Sequence, residues 1–397
     1  MSALSTLSAD DEIRRLVETH GTPLYVYDRD VLGHRAAELI RVLRGATLYY
    51  SLKANPNQDV ASLLREQGCS VEVASSGELR RAIQAGYAAE DIMFIGPGKT
   101  REEIREAAGL GVGRFVVDNE TELSVLAEET DVRDIVVRVN PLFEASGGKL
   151  SMSGGKPKQF GIDRTRVGGF VSVARSLGLE VVGLHYYLGT RFLDARDIVD
   201  NTRLIIDDAV EIAAENDLLL DFLDMGGGFG VPYFAGESAL DVLVLEEGLQ
   251  ACIAAARRAF PAATLAFESG RYLTAESGRL LLTIVARKDS YGTEFCVCDG
   301  GTNVNLAAIG TGSLGKRNFP SALVASRATG TRPAGSPTTV TVTGPLCTPD
   351  DTILKAVEWD VPPRAGDYVV IRKVGAYGPS ASPHSFLGHR FPTEVCV

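Results

Sequence analysis

No stretch of the chain approaches the roughly 18 consecutive apolar residues that a helix needs to cross a bilayer, so no membrane span is expected. Positive charge is the scarcer sign: 40 Lys and Arg against 51 Asp and Glu give a net charge of −11. A general nucleic-acid binder carries a basic surface, so that class is set aside. The six cysteines (Cys69, Cys252, Cys296, Cys298, Cys347, Cys396) are scattered. Cys296 and Cys298 are spaced as neighbours on one strand face, not as a metal knuckle. Neither a disulfide framework nor a bound metal is expected. Met1–Asp10 has no basic n-region and no apolar core, so no secretory signal is read there and a cytoplasmic protein is expected. No tandem repeat stands out beyond an alternation of strands and helices.

That alternation organises most of the 397 residues, a length beyond which a single core usually stops growing. The apolar share is 45% and the charged share 23%, ordinary for a globular chain. Strand-like runs fall at 48–51, 71–74, 92–95, 115–117, 135–139, 181–187, 222–225 and 264–267, with helical spacing at 60–66, 78–85, 101–108, 120–128, 171–177, 198–215 and 242–259. Eight such repeats favour a closed (β/α)8 barrel, an α/β fold, over an open sheet. After Gly278 the runs 280–286, 295–298, 338–342 and 368–371 are β-branched with no long helix between them, which reads as an antiparallel β domain. The expected divisions are residues 1–27, a segment joining the β domain; 28–277, the barrel; and 278–397, the β domain. Residues 142–159 and 310–337 read as loops.

Barrels place chemistry at the C-terminal ends of their strands. The first strand ends in Tyr49-Tyr50-Ser51-Leu52-Lys53, stopped at once by Asn55-Pro56. A lysine there either snorkels to solvent or is a desolvated nucleophile suited to Schiff-base chemistry. Gly226-Gly227-Gly228 follows the seventh strand, where backbone N–H groups can close on an anion, although a tight turn also asks for glycine. Arg271, after the eighth strand, adds a charge-assisted phosphate contact, and Thr190 a hydroxyl. Glu268 stands beside them, as a salt-bridge partner or as a functional carboxylate. A lysine, a phosphate cradle and a facing carboxylate make up the set that pyridoxal phosphate needs.

The ordered motifs narrow this. They are Tyr-Ser-Leu-Lys-Ala-Asn at Lys53, Ala-Ser-Ser-Gly-Glu-Leu at 74–79, Gly-Pro-Gly-Lys at 96–99, Gln-Phe-Gly at 159–161, Gly-Gly-Gly at 226–228, Glu-Ser-Gly-Arg at 268–271, Gly-Pro-Leu-Cys at 344–347 and Gly-Ala-Tyr at 375–377. Over nearly the whole chain they resemble the fold-type III pyridoxal-phosphate decarboxylases, the family of diaminopimelate, ornithine and arginine decarboxylases, whose two-domain fold alanine racemases share. The resemblance implies that Lys53 is the Schiff-base lysine and Glu268 the partner of the pyridine nitrogen. It implies a cofactor site of Lys53, Tyr187, Thr190, Gly227, Gly228, Glu268, Gly270, Arg271 and Tyr377. Cys347 would be a catalytic cysteine and proton donor reaching the site from the other subunit of a homodimer.

The departures from the family pattern concern the substrate. Tyr187 stands where relatives stack a histidine on the cofactor, with His185 as a neighbour; tyrosine stacks equally well. Ser269 replaces a proline. Thr348 follows Cys347 where diamine enzymes place an acid for the distal ammonium; an unpaired buried ammonium costs roughly 3–5 kcal/mol, on the order of 10²–10³ in affinity. The stretch 303–306 lacks the Arg-Pro…Tyr that holds the distal carboxylate of diaminopimelate. These departures resemble a subset, found in secondary-metabolite and cell-envelope pathways, that decarboxylates amino acids tethered to an acyl-carrier protein or otherwise conjugated. Arg138, Arg191 and Thr348 are the expected substrate residues, and Lys149, Lys156, Lys158, Arg191, Lys316 and Arg317 a candidate basic rim for an acidic carrier protein. The rival readings are diaminopimelate decarboxylase, an amino-acid racemase, for which no second base is evident, and a non-catalytic regulator, against which intact Lys53, Glu268 and Arg271 argue.

Overall fold

The computed structural model describes residues 8–147, 150–151, 154–310, 317–329 and 337–397. Contacts divide them into two compact units. One spans Leu32–Pro232 and Ser238–Leu273; the other holds residues 8–31, Tyr233–Glu237 and Thr274–Val397.

The first unit is a closed parallel barrel. Its strands are β1 (Thr47–Ser51), β2 (Ser70–Val73), β3 (Ile92–Phe94), β4 (Arg114–Val117), β5 (Asp134–Asn140), β6 (Glu180–His185), β7 (Phe222–Asp224) and β8 (Thr264–Ser269). Each pairs with its neighbours in sequence, and β8 returns to β1, with Glu268 opposite Tyr49. The eight strands read from the sequence are all present, with ends moved by one or two residues. The interior is filled by Tyr49, Met93, Ile95, Val116, Val136, Phe222 and Ala266, which makes the barrel a packed core and leaves its strand ends for chemistry.

Helices α1 (Gln58–Glu66), α2 (Ser76–Gln84), α3 (Arg101–Gly109), α4 (Glu120–Glu129), α5 (Val167–Ser176), α6 (Ala195–Glu215) and α7 (Val242–Ala259) follow β1 to β7. Side chains at their first turns explain why they start where they do. Asn57 accepts from the N–H groups of Asp59 and Val60, and Thr100 and Glu103 form a capping box. These side chains satisfy amide groups that the helix itself leaves open.

The second unit is a mostly antiparallel sheet built on the long strand Gly278–Ser290, which pairs with Thr293–Cys298, Tyr368–Arg372 and Leu24–Tyr27. Helix Ala9–His20 packs Ile13 and Val17 against Leu24, Val26, Leu281, Val324 and Val370. Two pairings are parallel: Thr293–Cys298 with Thr338–Thr343, and Leu24–Tyr27 with Thr393–Cys396. The stretch 310–337, expected to be a loop, contains the strand Ser321–Val324, which pairs with Tyr368–Arg372. Three of its four residues are half-buried, so no clean alternation marks it in the sequence. Thr352–Trp359 also went unread, because Lys355 and Glu358 on its open side break the apolar run. In the other expected loop, Leu150–Ser151 pairs with Gly189–Thr190.

Candidate active site

Lys53 sits in a single helical turn, Leu52–Ala54, directly after β1. The turn closes through Asn55 N–H to Leu52 C=O at 3.1 Å, and the Tyr50 hydroxyl donates to Asn55 C=O at 2.6 Å. Lys53 Nζ lies 2.6 Å from Glu72 Oε1. Glu72 is on β2, where Ser51 pairs with it across the ladder. The lysine side chain is 39% exposed and the glutamate 1%. The ammonium is thus partly open to solvent and paired with a buried carboxylate, a partner the sequence reading did not name.

Glu268, at the end of β8, is the second member. His185 Nε2 lies 2.8 Å from Glu268 Oε1, and both side chains are buried. Burial first, and then the Arg138 charge, push the imidazole down to about 3, so it is neutral at physiological pH. Burial and the charge of Glu268 push Asp224, at the end of β7, well above the usual carboxylate range. Glu72 rises to about 7, mainly through burial and then through Glu268, against the pull of Lys53. Carboxylates crowded in this way cannot all ionise. Donor atoms of Glu72, His185 and Glu268 lie within 4.8 Å of one another; that is metal-ligand spacing, with the ammonium of Lys53 supplying the counter-charge.

Lys53, His185 and Glu268 border a cavity of about 240 Å³. Ile95, Pro97, Phe160 and Tyr187 give it apolar walls, and Lys53, Arg138 and Glu268 supply its charge. The guanidinium of Arg138 lies 4.8 Å from the Phe160 ring centre and 5.9 Å from that of Tyr187. Behind it, Arg138 Nε is 3.9 Å from Asp118 Oδ1, which also accepts from Gly161 N–H at 2.6 Å. Asp118 N–H donates to Glu122, whose carboxylate pairs with Lys99 at 2.9 Å. Lys99 in turn donates to the carbonyls of Gly96 and Val116. One buried chain of charges thus ties Arg138 on β5 to the loops that carry Gly96 and Gly161.

The glycine loop after β7 has a packing reason of its own. A Cβ on Gly227 would collide with the Glu268 carbonyl oxygen, and Gly228, at φ +88°, would place one 2.6 Å from the Phe192 ring. The backbone here comes closer than any side chain allows, and the Gly226 N–H is held by Asp224 at 2.8 Å. Arg271 opens a four-residue helix after β8, and Thr190 lies on the short strand 189–190.

Two members of the expected basic rim are not free surface charges. Arg191 is 4% exposed, at φ +65°, so it is not a surface docking charge. Arg317 pairs with Glu237 at 2.6 Å and stacks on Phe234 at 4.1 Å, so its charge is engaged within its own unit. Lys149 and Lys316 lie outside the described residues. Lys156 is exposed and Lys158 half-buried.

Cys347, Thr348 and Tyr377 belong to the β unit. Cys347 is exposed, on a turn organised by Asp351, whose buried carboxylate accepts from Thr302 N–H, the Thr302 hydroxyl and Leu346 N–H. Thr348 is half-buried, and Tyr377 has φ +56°. Sequence reading missed Glu72, Asp118, Asp224 and Asp351. For Glu72 a signal was present: an acid between Val71 and Val73 must face the opposite side of its strand from both.

The arrangement offers an amine able to form an imine, a buried carboxylate held by a neutral imidazole, flat apolar walls and a glycine cradle. Pyridoxal phosphate fits each of these. The sequence pattern described as "Pyridoxal-dependent decarboxylase, pyridoxal binding domain" matches residues 31–275. The chain is 36% identical to the L-glutamyl-[BtrI acyl-carrier protein] decarboxylase of Niallia circulans over 393 residues, 97% of this chain and 90% of that relative. It is 28% identical to the 2-[(L-alanin-3-ylcarbamoyl)methyl]-2-hydroxybutanedioate decarboxylase of Staphylococcus aureus, covering 95% of this chain and 94% of the relative. The crystal structure of diaminopimelate decarboxylase from Helicobacter pylori complexed with L-lysine superposes with a TM-score of 0.83 at 28% identity, over 96% of this chain and 93% of that one.

Proposed function

Because the chain belongs to the family of pyridoxal-dependent decarboxylases, we propose that it removes the α-carboxyl group of an amino acid tethered or conjugated through its side chain, such as a glutamyl group on a carrier protein. The observation that carries this substrate class is the turn after Cys347. Thr348 is uncharged there, and the buried acid that follows, Asp351, is taken up by Thr302 and Leu346. A free diamino acid would bring a distal ammonium with no buried partner at that turn. A tethered side chain brings none. Two relatives whose names specify a carrier-bound or carbamoyl-linked amino acid support the same reading.

Bound pyridoxal phosphate supplies an electron sink that accepts the pair released when the carboxylate departs. The side chains are assigned the following roles. Lys53 is the covalent anchor. Glu268, its orientation fixed by His185 at 2.8 Å, holds a proton on the ring nitrogen. Tyr187 would lie against the ring face, and Gly227, Gly228, Gly270, Thr190, Arg271 and Tyr377 would hold the phosphate. Arg138 faces the cavity as a cation for the substrate, with buried Arg191 as a second. Cys347 would be the proton donor to Cα.

An exposed Cys347 completes a site best when a second copy brings it there, so the working form is a homodimer with shared sites. Phe386, Leu387 and Phe391 are exposed on the β unit and give it apolar surface for such a partner. Among the described residues no helix is long and apolar enough to cross a membrane; the cytoplasm is the proposed compartment, and secondary metabolism the setting.

The test is CO2 release from a glutamyl thioester on an acyl-carrier protein and from amide-conjugated amino acids, compared with free glutamate, ornithine and meso-diaminopimelate. Turnover confined to the tethered forms is expected. Efficient turnover of free meso-diaminopimelate would overturn the substrate class.

A further inference from the structure

We propose that Glu72 is the proton-exchange partner of Lys53: it takes the proton of the lysine ammonium when the cofactor is loaded, and returns it once the new bond has formed. This rests on the reading that Lys53 is the covalent anchor. The geometry is a direct contact, 2.6 Å from Nζ to Oε1, between a half-exposed lysine and a fully buried carboxylate. The other oxygen of Glu72, Oε2, is buried, and the Glu268 carboxyl is a hydrogen-bonding neighbour of Glu72 that favours its protonated form. A carboxyl group in that setting is well suited to hold a proton.

Other groups around Glu72 have different tasks. Glu268 is bonded to His185. Asp224 accepts from Gly226 N–H at 2.8 Å. His185 is neutral and is pulled further from protonation by Arg138. Glu78, on α2, accepts from Ala74 N–H at 2.8 Å. The negative charge of Glu268 raises Glu72 and the ammonium of Lys53 lowers it, which leaves Glu72 near 7. A group with that value changes hands with a proton at little cost in either direction.

The step balances as follows. The ammonium of Lys53 gives one proton to Glu72, and the free lone pair of Nζ attacks the aldehyde carbon of pyridoxal phosphate. A C=N bond replaces C=O, and the oxygen leaves as water with the two protons still on Nζ. Glu72 then returns its proton to the nitrogen. Nothing is oxidised or reduced.

The test uses the full-length protein stripped of cofactor. Pyridoxal phosphate is added back, and the absorbance of the bound form is followed in time at a series of pH values, with no turnover involved. Wild type should load with a rate that inflects near pH 7. Glu72→Gln should load about 10²-fold more slowly at neutral pH and reach the same final occupancy, and Glu72→Asp should recover most of the rate. Loading by Glu72→Gln at the wild-type rate across the series overturns the proposal, as does a Glu72→Asp variant as slow as Glu72→Gln. If Glu72→Gln does not fold, the wild-type profile decides, and a flat profile through pH 7 overturns it. Lys53→Ala separates the two readings. If it still gains the bound absorbance, the anchor reading fails; if it loses it while Glu72→Gln loads normally, the Glu72 proposal alone fails.

Discussion

His185 Nε2 lies 2.8 Å from Glu268 Oε1, with 1% and 3% of their side chains exposed. The imidazole donates from Nε2 to the carboxylate. A protonated ring would add a buried charge that nothing at Nδ1 meets, since Nδ1 has no partner among the described residues. Neutrality of this histidine is thus part of how the floor of the site is built.

An acid limit follows. Unfolded, His185 titrates near 6.5; folded, it is pushed down to about 3. Between those values the unfolded chain binds a proton that the folded chain refuses. The contribution is therefore full above pH 6.5 and is lost as pH falls toward 3. Glu72 runs the other way: raised from 4.5 to about 7, its share is full below 4.5 and is lost as pH rises through 7. In the cofactor-free protein, His185→Gln should flatten the acid limb of urea midpoint against pH. A limb as steep as that of wild type would show that another group sets it.

Thr348→Glu should create the missing anchor. A carboxylate after Cys347 gives the distal ammonium of a free diamino acid its partner, and kcat/KM for meso-diaminopimelate or lysine should rise about 10-fold or more. Kinetics with free and tethered substrates read the change; an unchanged preference would place the discrimination elsewhere.

The shared-site reading predicts complementation. Lys53→Ala and Cys347→Ala homodimers should each be inactive or nearly so. After the two are mixed and allowed to exchange, half the dimers are mixed and each has one intact site, so activity should return to about a quarter of wild type. No recovery under conditions where exchange is demonstrated by mass would count against a cysteine from the second copy.

Lys99 and Glu122 are 1% and 2% exposed and 2.9 Å apart. Lys99→Met alone leaves Glu122 buried without its cation and should cost about 3–5 kcal/mol. Lys99→Met with Glu122→Leu removes both charges and should recover much of that loss, as measured by denaturant midpoint. Because Lys99 also holds the Gly96 and Val116 carbonyls, the double variant should still show slackened cofactor binding.

The barrel was legible because its strands are short apolar runs set apart by helices with ordinary caps. The β unit was half legible. Gly278–Ser290 announces itself, whereas Ser321–Val324 has three half-buried residues of four and becomes a strand only by pairing with Tyr368–Arg372. In the site, Lys53 and Glu268 stood out as charges at strand ends. Glu72, Asp118 and Asp224 did not, because an acid inside or just after a strand reads as an ordinary surface residue until closure of the barrel turns it inward. Arg191 failed in the opposite sense: a charge in a loop was read as exposed, and the chain buries it.

Leu24–Tyr27 lies between Gly278–Leu281 on one side and Thr393–Cys396 on the other. All four of its residues are fully buried. On the ribosome this strand emerges early, and the entire barrel is made before either partner exists. A nascent chain therefore carries a bare, aromatic strand edge through most of its synthesis, the kind of surface that recruits chaperones or pairs with the wrong chain. The yield of folded protein should depend on how that edge is shielded until Thr393–Cys396 arrives, and a lesion in the last strand should be felt first at residues 24–27.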